Sequence, residues 1–71
     1  MLKPKKNTIY YFTCDDGMEG YYREMYGLRK YTRVLCLGEV KNMPDHYIVA
    51  GKDGRVTWGL HRQNLEELTA D

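Results

Sequence analysis

The stretch Tyr47-Ile48-Val49-Ala50-Gly51-Lys52-Asp53-Gly54-Arg55-Val56-Thr57-Trp58-Gly59-Leu60 sets two strand-forming segments about an Asp-Gly dipeptide. Asp-Gly between such segments is a strong short-range hairpin signal, because both residues tolerate the positive φ of a type I′ turn. A two-residue turn sets the register. Lys52 is predicted to face Arg55, Gly51 to face Val56, Ala50 to face Thr57, Val49 to face Trp58, Ile48 to face Gly59, and Tyr47 to face Leu60. Alternation then puts Tyr47, Val49, Val56, Trp58 and Leu60 on a core face. Ile48, Ala50, Lys52, Arg55 and Thr57 fall on the wetter one.

The rest of the chain fits round this hairpin. Residues 1–7 read as a flexible basic lead-in, and residues 8–71 as a single domain. Thr8 to Cys14 is β-branched and aromatic, hence a strand, and Asp15-Asp16-Gly17 ends it with turn chemistry. Residues 17–31 carry two competing signals. Tyr22, Met25, Tyr26 and Arg29 recur at helical spacing, while Gly20, Gly27 and the tyrosines lower helix propensity. The expected form is a long loop; the alternative is an α+β fold with a helix at residues 19–30. Thr32 to Val40 reads as a central strand in which Gly38 marks a bend or bulge. Asn42-Met43-Pro44-Asp45 is a turn, and Asn64-Leu65-Glu66-Glu67 matches a capping box that opens a short helical turn. The predicted core is Val34, Cys36, Val49, Val56, Trp58, Leu60 and Leu65.

Arg33-Val34-Leu35, Tyr47-Ile48-Val49, Asp53-Gly54, Val56-Thr57-Trp58 and Asn64-Leu65-Glu66 occur in an order that resembles the small SH3-like proteins of bacteriophages and prophages. The resemblance covers about half of the chain and specifies a fold rather than an activity. It implies an all-β, SH3-like barrel of about five strands, with a long first loop and a short C-terminal helical turn. The ALYDY-type run and acidic loop of signalling SH3 domains are missing, so proline-rich ligands do not carry over. The glycine-centred opening motif of ribosomal KOW segments is missing too, so RNA binding does not carry over either.

Eleven Lys and Arg against ten Asp and Glu give a formal charge of +1, which excludes an acidic DNA mimic and provides no strong basic field. With no signal-peptide pattern and no membrane-length apolar run, a cytoplasmic protein without membrane attachment is expected. Cys14 and Cys36 are then read as free, buried thiols. Cys14, Cys36, His46 and His61 have none of the short spacings of zinc sites, so neither a metal nor another cofactor is expected. Cysteines inside strands make poor nucleophiles, and no phosphate loop or dinucleotide fingerprint is present, so the chain reads as a non-enzyme.

One stretch remains, from Tyr21 to Arg33. Its tyrosines outnumber what so small a core can hold, and aromatic residues beside Arg have the composition of interface hot spots. Tyr21, Tyr22, Arg23, Met25, Tyr26 and Tyr31 are the candidate contacts for a protein partner. The alternative is weak nucleic-acid binding by Lys3, Lys5, Lys6, Arg23, Arg29, Lys30 and Arg33, with tyrosines stacking on bases. The protein is expected to be a monomer or a weak homodimer formed through an open strand edge.

Overall fold

The computed structural model describes residues 3–68. Five strands, β1 (Thr8–Phe12), β2 (Arg33–Glu39), β3 (His46–Ala50), β4 (Val56–His61) and β5 (Leu65–Glu67), form one sheet in the order β4-β3-β2-β1-β5. Every neighbouring pair is antiparallel. A short helix, α1 (Glu19–Tyr26), follows a 3₁₀ turn at Asp16–Met18, and a second 3₁₀ turn at Arg62–Asn64 joins β4 to β5. The fold is therefore mostly β. Its sheet is open, with β4 and β5 at the edges.

Residues 17–31 do not form the expected loop. They hold α1, shorter than the alternative helix at residues 19–30. Gly27, at φ +67°, ends it: the Gly27 N–H bonds the Arg23 carbonyl at 3.1 Å and the Leu28 N–H bonds the Tyr22 carbonyl at 3.2 Å. This is a Schellman stop, so Gly27 acts as a C-terminal signal rather than an interruption. Leu28, just beyond it, is buried. Tyr22 and Tyr26, one turn apart, pack against the core. Such packing outweighs a weak intrinsic propensity.

The hairpin turn differs from the predicted one by a residue. The Gly51 N–H bonds the Arg55 carbonyl at 2.8 Å, and the Gly54 N–H bonds the Gly51 carbonyl at 3.0 Å. Lys52-Asp53-Gly54 is thus a three-residue loop in which Gly54 alone has positive φ. The Asp53 carboxylate instead accepts the Arg55 N–H at 2.9 Å. Pairing near the turn becomes Ala50 with Val56 and Val49 with Thr57, then shifts back to Tyr47 with Leu60. The residue that restores register is on β4, where Trp58 and Gly59 together oppose Ile48. Gly59, at φ +80°, makes this bulge possible.

Two core assignments fail because of the shifted turn. Val56 is exposed, and Trp58 is 69% exposed, whereas Thr57 is buried. The other five, Val34, Cys36, Val49, Leu60 and Leu65, are buried as predicted, and Tyr10, Phe12, Tyr47 and Leu28 join them. A second register shift lies between Cys36 and Gly38 on β2, at the predicted bulge.

The closing segment is also corrected. Asn64 does not open a helical turn as a capping residue. It ends the 3₁₀ turn, exchanges hydrogen bonds with Thr13 (2.8 Å through the Thr13 N–H, 2.9 Å through Asn64 Nδ2), and leads into β5 on the β1 edge. Pairing with β1 satisfies more backbone groups than one helical turn would. Pro4 in the lead-in is buried, and Tyr10 Oη accepts the Lys5 N–H at 2.7 Å. The expected end of the domain at residues 69–71 and the start of the lead-in at residues 1–2 lie outside the described residues.

Candidate functional site

The bulge on β4 and the stop at Gly27 set the two walls of one groove. On the α1 wall, the Tyr21 ring meets Tyr22 at 5.4 Å and Tyr26 at 5.8 Å, both edge-on, and Tyr22 meets core Phe12 edge-on at 5.0 Å. These distances and angles are the favoured geometry for aromatic pairs, so the cluster is a firm surface. The opposite wall is β4 from Thr57 to His61, continued by Gln63 and Asn64 of the second 3₁₀ turn. Trp58 lines this wall and is largely exposed. The groove holds about 240 Å³ and opens to solvent.

Hydrogen bonds hold the polar end in place. His61 Nδ1 accepts the Gln63 N–H at 3.1 Å and so caps the 3₁₀ turn. The same turn is pinned to the loop before β3 by the Arg62 N–H to the Asp45 carbonyl, 2.8 Å, and by Arg62 Nε to Asp45 Oδ1, 2.9 Å. His46 packs edge-on against His61 at 5.1 Å, and its Nδ1 bonds the Pro44 carbonyl at 2.9 Å.

Three of the six predicted protein contacts meet here: Tyr21, Tyr22 and Tyr26. Arg23 and Met25 lie on α1 outside the groove, and Tyr31 is exposed elsewhere, 5.6 Å from Lys30 Nζ. Trp58, His61, Gln63 and Asn64 have no counterpart among the predicted contacts. A glycine directly after Trp58 inside a strand pattern is the signal for the bulge that follows that ring.

The predicted cations are dispersed. Lys30 is held by Asp16 at 2.7 Å, Arg23 sits on α1, and Arg33 opposes Tyr11 on the sheet. Lys3 and Lys5 border a different cavity, beside Glu67.

Both thiols are buried and free, and burial pushes each above its ordinary value, with Glu19 adding to the effect at Cys14. A raised thiol is a poor nucleophile at neutral pH. Burial likewise raises Tyr22. Among the described residues, no three His, Cys, Asp or Glu side chains gather in a metal-ligating group, and no helix is long and apolar enough to cross a membrane.

Fold and site together define a mostly β domain, one open antiparallel sheet and a short helix, with an aromatic groove between helix and edge strand. No protein-family model, curated protein or solved structure matches the chain.

Proposed function

We propose that the protein is a non-enzymatic binding module whose groove receives an extended segment of a protein partner. One observation carries this reading: Tyr21, Tyr22, Tyr26 and Trp58 converge on one open groove that ends in hydrogen-bonding Gln63 and Asn64. Anchored aromatic rings supply contact area at low entropic cost and are enriched among hot spots. A groove of about 240 Å³ is smaller and more open than the pockets that enclose small molecules. The strand order, and a last strand reached through a 3₁₀ turn, support the SH3-like reading of the fold. With it goes the proposal of a phage- or prophage-type accessory protein that acts on a host or phage protein in the cytoplasm.

The test compares wild type with Trp58→Ala and Tyr21→Ala, each confirmed folded, in affinity capture from the source cell. Trp58 fluorescence then follows titration of the captured protein. The expected result is a partner bound by wild type, a shifted Trp58 emission, and a loss of about 2 kcal/mol or more on truncating a central ring. Equal recovery by all three proteins removes the groove as the site.

A second reading, weak nucleic-acid binding, draws on Lys3, Lys5 and Arg33, which lie round Ile9 on the two sides of one sheet face. Binding of this kind falls steeply with salt. Labelled oligonucleotides that fail to bind at low salt exclude it.

A further inference from the structure

The outer face of the sheet carries a pattern that the groove does not use. The registers pair Ile9 with Leu35, Leu35 with Ala50, and Ala50 with Val56, so four apolar residues line up across four strands. Alternation sets this row on the face opposite buried Tyr10, Val34, Val49 and Thr57. Ile9 and Val56 are 46% and 42% exposed. Leu68, just past β5, is exposed as well and borders a cavity together with Ile9. Two residues along the strands runs a second row, Glu66 on β5, Tyr11 on β1 and Arg33 on β2. Glu66 and Arg33 are exposed, and neither is in an ion pair among the described residues.

This pattern is complementary to itself. Consider a second copy turned about a two-fold axis that runs along β1 in the plane of contact. Positions along the strands are unchanged, Ile9 meets Ile9, and Tyr11 meets Tyr11. The lateral order is reversed, so β5 of each copy covers β2 of the other. Glu66 then falls on Arg33, and Leu68 on Leu35. One rotation thus sets Glu66 on Arg33 and Leu68 on Leu35 about an Ile9 pair, as an isologous interface between aligned sheets requires, while Ala50 and Val56 lie beyond the covering β5.

We infer that the protein forms a symmetric dimer through this face. The patch shares no residue with the groove, so both grooves stay open. Paired grooves would raise the avidity for a partner that presents two segments.

Sedimentation velocity on the full chain, from micromolar to millimolar concentration, tests this. The expected result is a reversible monomer–dimer equilibrium. Arg33→Glu faces Glu66 with a like charge twice per dimer, and Glu66→Arg does the same to Arg33. Each single variant should raise the dissociation constant about tenfold or more. An equimolar mixture of the two variants should restore dimers, as heterodimers, because every facing pair is again of opposite sign. This rescue separates lost contact from lost folding, and circular dichroism confirms that each variant is folded. Ile9→Lys, at the axis, should also yield monomers.

Three results overturn the inference. The first is a wild-type monomer at every concentration, including one that instead binds oligonucleotide through Arg33. The second is a dimer unaffected by all three substitutions, which would place contact elsewhere, such as the β4 edge. The third is a variant mixture that stays monomeric.

Discussion

At Gly59 the backbone adopts φ +80°, and the bulge there acts together with the three-residue turn to set the position of Trp58. The turn sets Thr57 opposite Val49 and so inward, the bulge adds a residue to β4 opposite Ile48 and returns Leu60 inward, and Trp58 between them is largely exposed and lines the groove. The most deeply buried ring among the described residues is Phe12, which is fully buried and meets Tyr22 edge-on. Trp58→Ala is therefore expected to change stability by no more than about 1 kcal/mol, in the range of surface substitutions. A buried tryptophan, as strict alternation predicts here, would cost about 3 to 5 kcal/mol. Phe12→Ala should show that larger loss and leave little of a stability that for small domains is about 5 to 15 kcal/mol. Urea unfolding of both variants decides it. A Trp58→Ala protein as damaged as Phe12→Ala would place the indole inside.

Helix α1 shows how two glycines in one element do opposite work. A Cβ added at Gly20 meets nothing within 4 Å, and the backbone there is helical, so Gly20→Ala should stabilise the domain by about 0.5 to 1 kcal/mol. A Cβ at Gly27 approaches Arg55 Nη1 to 3.2 Å at φ +67°. Gly27→Ala should accordingly cost about 1 to 2 kcal/mol, the penalty of left-handed backbone for other residues. Thermal unfolding of the two variants should shift in opposite directions, and a shift of the same sign would refute this account of the helix end. The strands were legible by different signals: alternation about the hairpin put Tyr47 and Val49 inside, an apolar run marked the strand of Val34 and Cys36, and β-branched and aromatic composition marked that of Tyr10 and Phe12, whose burial was not foreseen. Helix α1 was obscured because propensity counts Gly20 and Gly27 alike, whereas only the second needs a positive φ. The turn at Asp53 was misjudged for a related reason. Its carboxylate can accept a backbone N–H, which favours a three-residue loop, and dipeptide identity does not show which option is taken. Half of the groove was visible as surplus tyrosine. The other half required the bulge at Gly59 and a 3₁₀ turn capped by His61, which depend on long-range pairing.

For the molecule as a whole, the titrating groups of the interior set a pH limit on the alkaline side. Cys14, Cys36, Tyr22 and Tyr47 are all raised, each chiefly by burial, from ordinary values of 9.0 for the thiols and 10.0 for the tyrosines. Nearby carboxylates, Glu19 at Cys14 and Glu39 at Tyr47, add to the effect. A raised acid favours its neutral form more in the folded than in the unfolded chain. Its contribution to stability is whole below the unfolded value and is lost as pH rises through the folded one. The thiols reach that window first, so the urea midpoint should hold steady up to about pH 9 and fall beyond it. On the acid side, Asp16 is lowered by its hydrogen bond to Lys30, so that pair acts in the opposite sense and weakens as pH falls through the lowered value. It is fully exposed, and such pairs contribute little. Midpoints measured by circular dichroism from neutral pH to pH 11 should therefore trace a curve flat on the neutral side and steep above the thiol value. Cys36→Ala removes one of the four groups and should make the alkaline fall shallower, whatever its effect at neutral pH. A decline already complete near neutrality, or an alkaline slope identical in wild type and Cys36→Ala, would mean that the buried thiols do not set the limit.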